Sequence, residues 1–324
     1  MSAAGPVMLG VEGLALTPAD RARIAHPSVG GVILFTRNYA SPAQLAALTA
    51  AIRTARAARL LIAVDHEGGR VQRFRDGFTP VPAMRTLGER YDRDPRGALD
   101  EAAHWGRVIA DELGACGVDF SFTPVLDLDY GASAVIGARA FHADPARVTA
   151  LAGALCDGLH ERGMATVGKH FPGHGAVVVD SHHALPVDLR TLDAIAAADL
   201  VPFAALARTG ALDAVMPAHI VYPAVAPEPA GFSRRWIVDI LRDRLGFDGL
   251  VFSDDLEMAG AQGVGDIVAR ADAALAAGCD MVLACNDFAA MDALLARFVP
   301  PAAPELAWRV DRMRRTAPRG DEAG

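Results

Sequence analysis

A single (β/α)8, TIM-like barrel of the α/β class is the fold this sequence predicts. Short apolar runs recur eight times along the chain, each bounded by glycine or polar residues. Helical patterns separate them, as a parallel sheet covered on both faces requires. No phosphate-binding glycine fingerprint follows the first run, which weighs against the alternative of a doubly wound open sheet. The chain has 324 residues, 52% of them hydrophobic, enough to fill one large core. One domain is therefore expected over 1–324, with the core at about 5–300 and a helical tail over 301–324.

The elements follow in order. Residues 7–11 form the first predicted strand. Thr17-Pro18 then opens a helix with a good N-cap and proline at the first helical position. A strand over 31–35 is followed by a helix from Ser41-Pro42 to about residue 58. Strand 60–65 precedes helix 99–117, strand 119–123 precedes helix 144–162, and strand 164–170 precedes helix 191–209, which Pro202 should kink or split. Strand 214–219 leads into a stiff proline-rich loop over 223–229, then helix 233–246. Strand 249–254 precedes helix 265–277, and strand 280–286 precedes helix 287–298. A last helical stretch is expected around 305–315, with a frayed end.

Composition excludes several function classes. The net charge is −8, and no basic run is interleaved with aromatics, so no nucleic-acid partner is expected. No apolar run is long enough to span a bilayer, so no membrane partner is expected either. Met1-Ser2-Ala3-Ala4-Gly5 lacks a basic leader and a long apolar core, so no signal peptide and a cytoplasmic location are expected. Cys116, Cys156, Cys279 and Cys285 are scattered, without metal-like spacing, and read as buried reduced thiols.

In barrels of this kind chemistry sits at the C-terminal strand ends, and here those ends are unusually polar. The third carries Asp65-His66-Glu67-Gly68-Gly69-Arg70, the fifth Lys169-His170, the sixth His219, the seventh Asp254-Asp255 and the eighth Asn286-Asp287. Helix capping explains Asp287 and Glu257 but not Asp65, Lys169 and His170 together. Lys169-His-Phe-Pro-Gly-His-Gly175 and Asp180-Ser-His182 place a cation, several imidazoles and an Asp-x-His pair in a glycine-hinged loop. A carboxylate nucleophile and a proton donor on separate segments are the parts of a glycoside-cleaving site. Histidine suits the proton-transfer role because it titrates near neutrality, and Asp180 can orient His182 as an aspartate does in a protease triad. Adjacent strand residues point to opposite faces, so only one of Asp254 and Asp255 is expected at the mouth. The spacing His170-x-x-x-His174 suits a metal only on a helix, and Pro172-Gly173 break one, so no metal and no cofactor are expected. Glu67 is expected to pair with Arg70, His219 to shape the pocket, and Trp105 and Trp236 to be packing residues.

These segments, Asp65-His-Glu-Gly-Gly-Arg-Val-Gln-Arg73, Lys169–Gly175 with Asp180-Ser-His182, and Ser253-Asp-Asp-Leu-Glu-Met258, resemble glycoside hydrolase family 3. The similarity is to its single-domain bacterial β-N-acetylglucosaminidases and covers nearly the whole chain. It implies a retaining exo-acting enzyme on a small-molecule substrate, N-acetylglucosamine glycosides such as muropeptides. Asp254 would be the nucleophile and His182 with Asp180 the acid/base. Asp65, Arg73, Arg139, Lys169 and His170 would bind the sugar. His66 departs from the family pattern, where glutamine is commoner. A broader-specificity β-glycosidase or phosphorylase, a substrate-assisted hexosaminidase and a non-catalytic sugar-binding barrel are the rival readings.

Overall fold

The computed structural model describes residues 5–177 and 185–316. All eight predicted strands form, as β1 (Val7–Gly10), β2 (Val29–Leu34), β3 (Leu61–Val64), β4 (Phe120–Ser121), β5 (Val167–Phe171), β6 (Ala214–Pro217), β7 (Leu250–Asp255) and β8 (Met281–Ala284). Every residue of β1, β2 and β3 is buried, as continuous apolar runs under two covered faces should be. The strands pair in parallel in the order β4-β3-β2-β1-β8-β7-β6-β5. The seam between β4 and β5 is stitched by bridges from Phe120 to Ala165 and from Val125 to Lys169. Backbone bonds from Val167 N to Thr123 O (2.8 Å) and from Leu126 N to Lys169 O (2.6 Å) complete it. The sheet is thus a single (β/α)8 barrel.

Helices ring the barrel: α1 (Pro18–Ala25), α2 (Pro42–Thr54), α3 (Met84–Tyr91), α4 (Pro95–Ala115), α5 (Pro145–Glu161), α6 (Leu192–Ala197), α7 (Leu200–Arg208), α8 (Ala259–Gln262), α9 (Ile267–Ala277), α10 (Phe288–Arg297) and α11 (Leu306–Arg312). A π-helix, Arg235–Arg244, follows β6 in place of an α-helix. The start signals work as expected. Thr17 and Ser41 accept from Asp20 N and Gln44 N, and Pro18 and Pro42 occupy the first helical position. Asp94 and Asp144 do the same for α4 and α5, each followed by proline.

Other elements refine or change the expectation. The helix predicted from 99 begins at Pro95. Helix α3 lacks any side-chain N-cap and was not expected at all. The 191–209 helix does split, at Ala198–Asp199: in a continuous helix the ring of Pro202 would clash with the carbonyl four residues before it, so α6 ends there. The stiff loop after β6 is an antiparallel hairpin of Val221–Tyr222 with Ala226–Pro229. A second hairpin, His66–Gly68 with Val71–Gln72, rises from the end of β3. Trp236 is fully buried, Trp105 packs against the core, and all four cysteines are free and buried.

Candidate active site

A cavity of about 530 Å³ opens at the C-terminal ends of the strands. Its inner end rests on an aromatic triad, Phe120, Phe122 and Phe252, whose ring centroids lie 5.1–5.7 Å apart. Phe122 reaches the cavity. Side chains from β2, β5, β6, β7 and β8 and from the segments after β2, β3, β4, β5, β7 and β8 build the walls.

One wall is charged. Lys169 on β5 is almost fully buried, and its Nζ lies 2.6 Å from both Asp65 Oδ1 and Glu67 Oε1. Arg139, in the loop after β4, grips Glu67 with two bonds of 2.8 Å. Burial alone would raise the Glu67 carboxyl, but Arg139 and Lys169 overcome it and hold it well below the usual carboxylate range. Arg73 Nη2 stands 3.8 Å from Asp65 Oδ2, too far for a tight pair. Arg70 donates to Val135 O instead of pairing with Glu67 as expected. Arg139, from the loop after β4, takes both oxygens of Glu67 in a bidentate pair.

A second group sits beside it. On β5, Lys169 faces Met216 and Phe171 faces Pro217, a register shift that puts two residues against one. Such a bulge breaks alternation, and both Lys169 and His170 line the cavity. His170 Nδ1 lies 2.7 Å from Asp127 Oδ2. Asp127 is fully buried and also accepts from the backbone N–H of His170 (3.2 Å) and His174 (2.6 Å). Burial opposes its charge, but the two imidazoles and these bonds keep its carboxyl below the ordinary range. His174 is held below the usual imidazole range by burial, against the pull of Asp127. The segment then runs through Gly175, where a Cβ would stand 1.7 Å from Leu128 O. Only glycine lets the chain pass that carbonyl.

The third group closes the opposite side. Phe252 of β7 faces Met281 and Asp255 faces Leu283, three steps against two. This bulge defeats the expected alternation, so Asp254 and Asp255 both line the cavity. Asp255 N donates to Asp254 Oδ1 at 2.8 Å. The Asp255 carboxyl is pushed up to about 7 by burial, then by the Glu257 and Asp254 carboxylates. Asp287 caps α10 as expected. Glu257 does not cap the helix that follows it, since α8 starts after Met258 without a side-chain cap. Its carboxylate accepts instead from Asn286 N (2.7 Å) and Asp287 N (2.9 Å), just before α10. His219 does not reach the cavity. It is fully buried behind β7, stacked on Phe232 at 5.2 Å, with Nε2 3.1 Å from Asp255 O. His66 is also buried, among Phe74 and Phe78, and burial with Arg75 lowers it to about 4.

Six of the eight residues expected at the site therefore meet in one cavity: Asp65, Arg73, Arg139, Lys169, His170 and Asp254. Asp180 and His182 lie outside the described residues. Asp127 was missed by the sequence reading. Its signal was there, in Val125-Leu126-Asp127-Leu128, since an aspartate inside a buried apolar run must find partners. Among the described residues, no group of three or more His, Cys, Asp or Glu side chains is arranged to hold a metal. The His170 and His174 rings lie 5.8 Å apart, edge to face.

Residues 8–300 match the model of the "Glycosyl hydrolase family 3 N terminal domain". The chain is 62% identical over 309 residues to a beta-hexosaminidase of Chromobacterium violaceum, spanning 95% of this chain and 86% of that one. It is 61% identical over 317 residues to a beta-hexosaminidase of Bordetella avium, spanning 97% and 88%. Its fold superimposes with a TM-score of 0.93 on NagZ from Neisseria gonorrhoeae, solved with N-trifluoroacetyl-D-glucosamine. That protein is 51% identical, and the match covers 99% of this chain and 92% of it. With the barrel, the charged wall and these likenesses together, the chain is a glycoside hydrolase and belongs to glycosyl hydrolase family 3.

Proposed function

We propose that this protein is a retaining exo-β-N-acetylglucosaminidase. It removes a terminal N-acetylglucosamine from β-1,4-linked muropeptides, including 1,6-anhydro forms, during recycling of cell wall in the cytoplasm. The observation that carries the reading is the single cavity in which Asp254 faces a wall of paired cations and carboxylates. The beta-hexosaminidase relatives and the sugar derivative held by the Neisseria protein point to the same substrate class. A cavity of about 530 Å³ has room for one monosaccharide and part of the group attached to it. That suits removal of an end unit. We read the chain as working in one domain, with its tail as a brace.

Asp65, Arg73, Arg139, Lys169 and His170 bind the sugar hydroxyls, the charged groups by charge-assisted hydrogen bonds. Glu67 keeps Lys169 and Arg139 in place. Asp254 attacks the anomeric carbon and forms a glycosyl ester. The N–H of Asp255 on Asp254 Oδ1 helps fix the orientation of the carboxylate. His182, held by Asp180, gives a proton to the departing oxygen. It then takes one from the water that frees the sugar. No step calls for a cofactor.

Aryl β-N-acetylglucosaminide and aryl β-glucoside hydrolysis, measured side by side, test this reading. The acetamido sugar should be strongly preferred, and Asp254→Asn should lower its turnover by about 1,000-fold or more. Equal or reversed preference would move the enzyme to a broader β-glycosidase.

A further inference from the structure

We propose that Asp127 is a positioning residue that fixes the tautomer and orientation of His170, so that the imidazole meets the substrate through Nε2. The inference rests on the proposed role of His170 in sugar binding.

Three facts carry it. Asp127 is fully buried, yet its two oxygens take three bonds, from His170 Nδ1, His170 N and His174 N. A buried carboxylate is costly unless it is paired and hydrogen-bonded, and this one is committed almost wholly to one histidine and the segment after it. An ionised carboxylate only accepts, so Nδ1 must carry the proton, and burial is outweighed by the two imidazoles that keep Asp127 ionised. His170 lines the cavity, and with Nδ1 committed, Nε2 is the ring nitrogen left for a ligand. The backbone bonds add precision. One carboxylate holds both the backbone N–H and the ring of His170, so the imidazole cannot turn without breaking the Nδ1 bond while the carboxylate stays fixed by the backbone.

The bond to His174 N extends the effect. The same carboxylate anchors the residue that leads into the rest of the loop, so the sugar-binding wall and the base of that loop share one support. Carboxylates that orient metal-binding histidines from behind are worth about 10–100-fold in function, and a loss of that size is expected here.

The test has two parts. The first is 15N NMR of the wild-type imidazoles, which needs no turnover. His170 should show a proton on Nδ1 throughout the neutral range. A bare Nδ1 with the proton on Nε2 would overturn the proposal, whatever the enzyme hydrolyses. The second is a double-mutant cycle with Asp127→Asn and His170→Ala, measured as kcat/KM on an aryl β-N-acetylglucosaminide. Asp127→Asn alone should cost about 10–100-fold. In the His170→Ala background it should cost several-fold less, because most of its effect passes through the ring and only the share carried by the His174 N–H remains. An equal loss in both backgrounds would mean a merely structural carboxylate and would contradict the assignment. If wild type turns over no hexosaminide, the functional reading fails, while the NMR result still decides the role of Asp127.

Discussion

Asp254 and Asp255 are neighbours in sequence and share one cavity, and their peptide links them, with Asp255 N bonded to Asp254 Oδ1. The Asp255 carboxyl accepts from Glu257 N at 3.0 Å and meets Asn286 Nδ2 at 3.4 Å. These bonds do not offset its burial and two acidic neighbours, so it titrates at about 7, well above the ordinary aspartate range. The consequence for stability has a definite sign. Between about pH 4 and 7 the folded state keeps a proton that the unfolded chain has released, so raising the pH through that window destabilises the fold. Above it the cost is constant. Asp255→Asn keeps an acceptor oxygen and removes the charge. The stability gap between the variant and wild type should therefore widen from about pH 4 to 7, by about 1.4 kcal/mol for each pH unit crossed, and then level off. Urea unfolding at a series of pH values measures it, and a gap independent of pH would refute the burial argument.

At the scale of elements, the tail helix α11 is tied to the end of the barrel away from the cavity. Arg309 and Arg242 clamp opposite oxygens of Asp280, each at 2.7 Å, and Arg309 Nε reaches Asp248 O at 3.1 Å. Asp280 precedes β8 and also accepts from Val251 N on β7. Arg309→Ala leaves this carboxylate half-paired and should cost about 3 kcal/mol in denaturant stability, with kcat/KM nearly unchanged. Loss of activity without loss of stability would place the tail in the site's machinery. The strands were legible because short uninterrupted apolar runs, alternating with helical patterns, fit burial on both faces of a sheet. The helix starts at Thr17, Ser41 and Asp144 were legible because each capping residue precedes a proline. The same signal at Asp94-Pro95 was passed over, and that helix was placed four residues late. Helix α3 was not, since Ala83 offers no side-chain cap and Met84–Tyr91 is short and polar. The bulges in β5 and β7 were also invisible. A bulge depends on the partner strand's register, and that is why Asp254 and Asp255 were wrongly expected to part.

For the whole molecule, barrel closure does the functional work. It brings Asp65 after β3, Arg139 after β4, Lys169 and His170 on β5 and Asp254 on β7 around one opening, although 189 positions separate the first from the last. That convergence was legible because strand ends of this polarity have few structural uses, and the wiring within it was not. Glu67 found Arg139 rather than Arg70, and Asp127 stood behind His170, because both pairings join segments distant in sequence. The claim that Asp254 is a covalent nucleophile in this opening is tested most directly by trapping. A His182→Ala variant, mixed with an aryl β-N-acetylglucosaminide bearing a good leaving group, is quenched, digested and read by mass spectrometry. The account predicts one N-acetylhexosaminyl unit esterified to Asp254. A sugar attached to another residue, or full release of the aryl group with no adduct at any time, would contradict it.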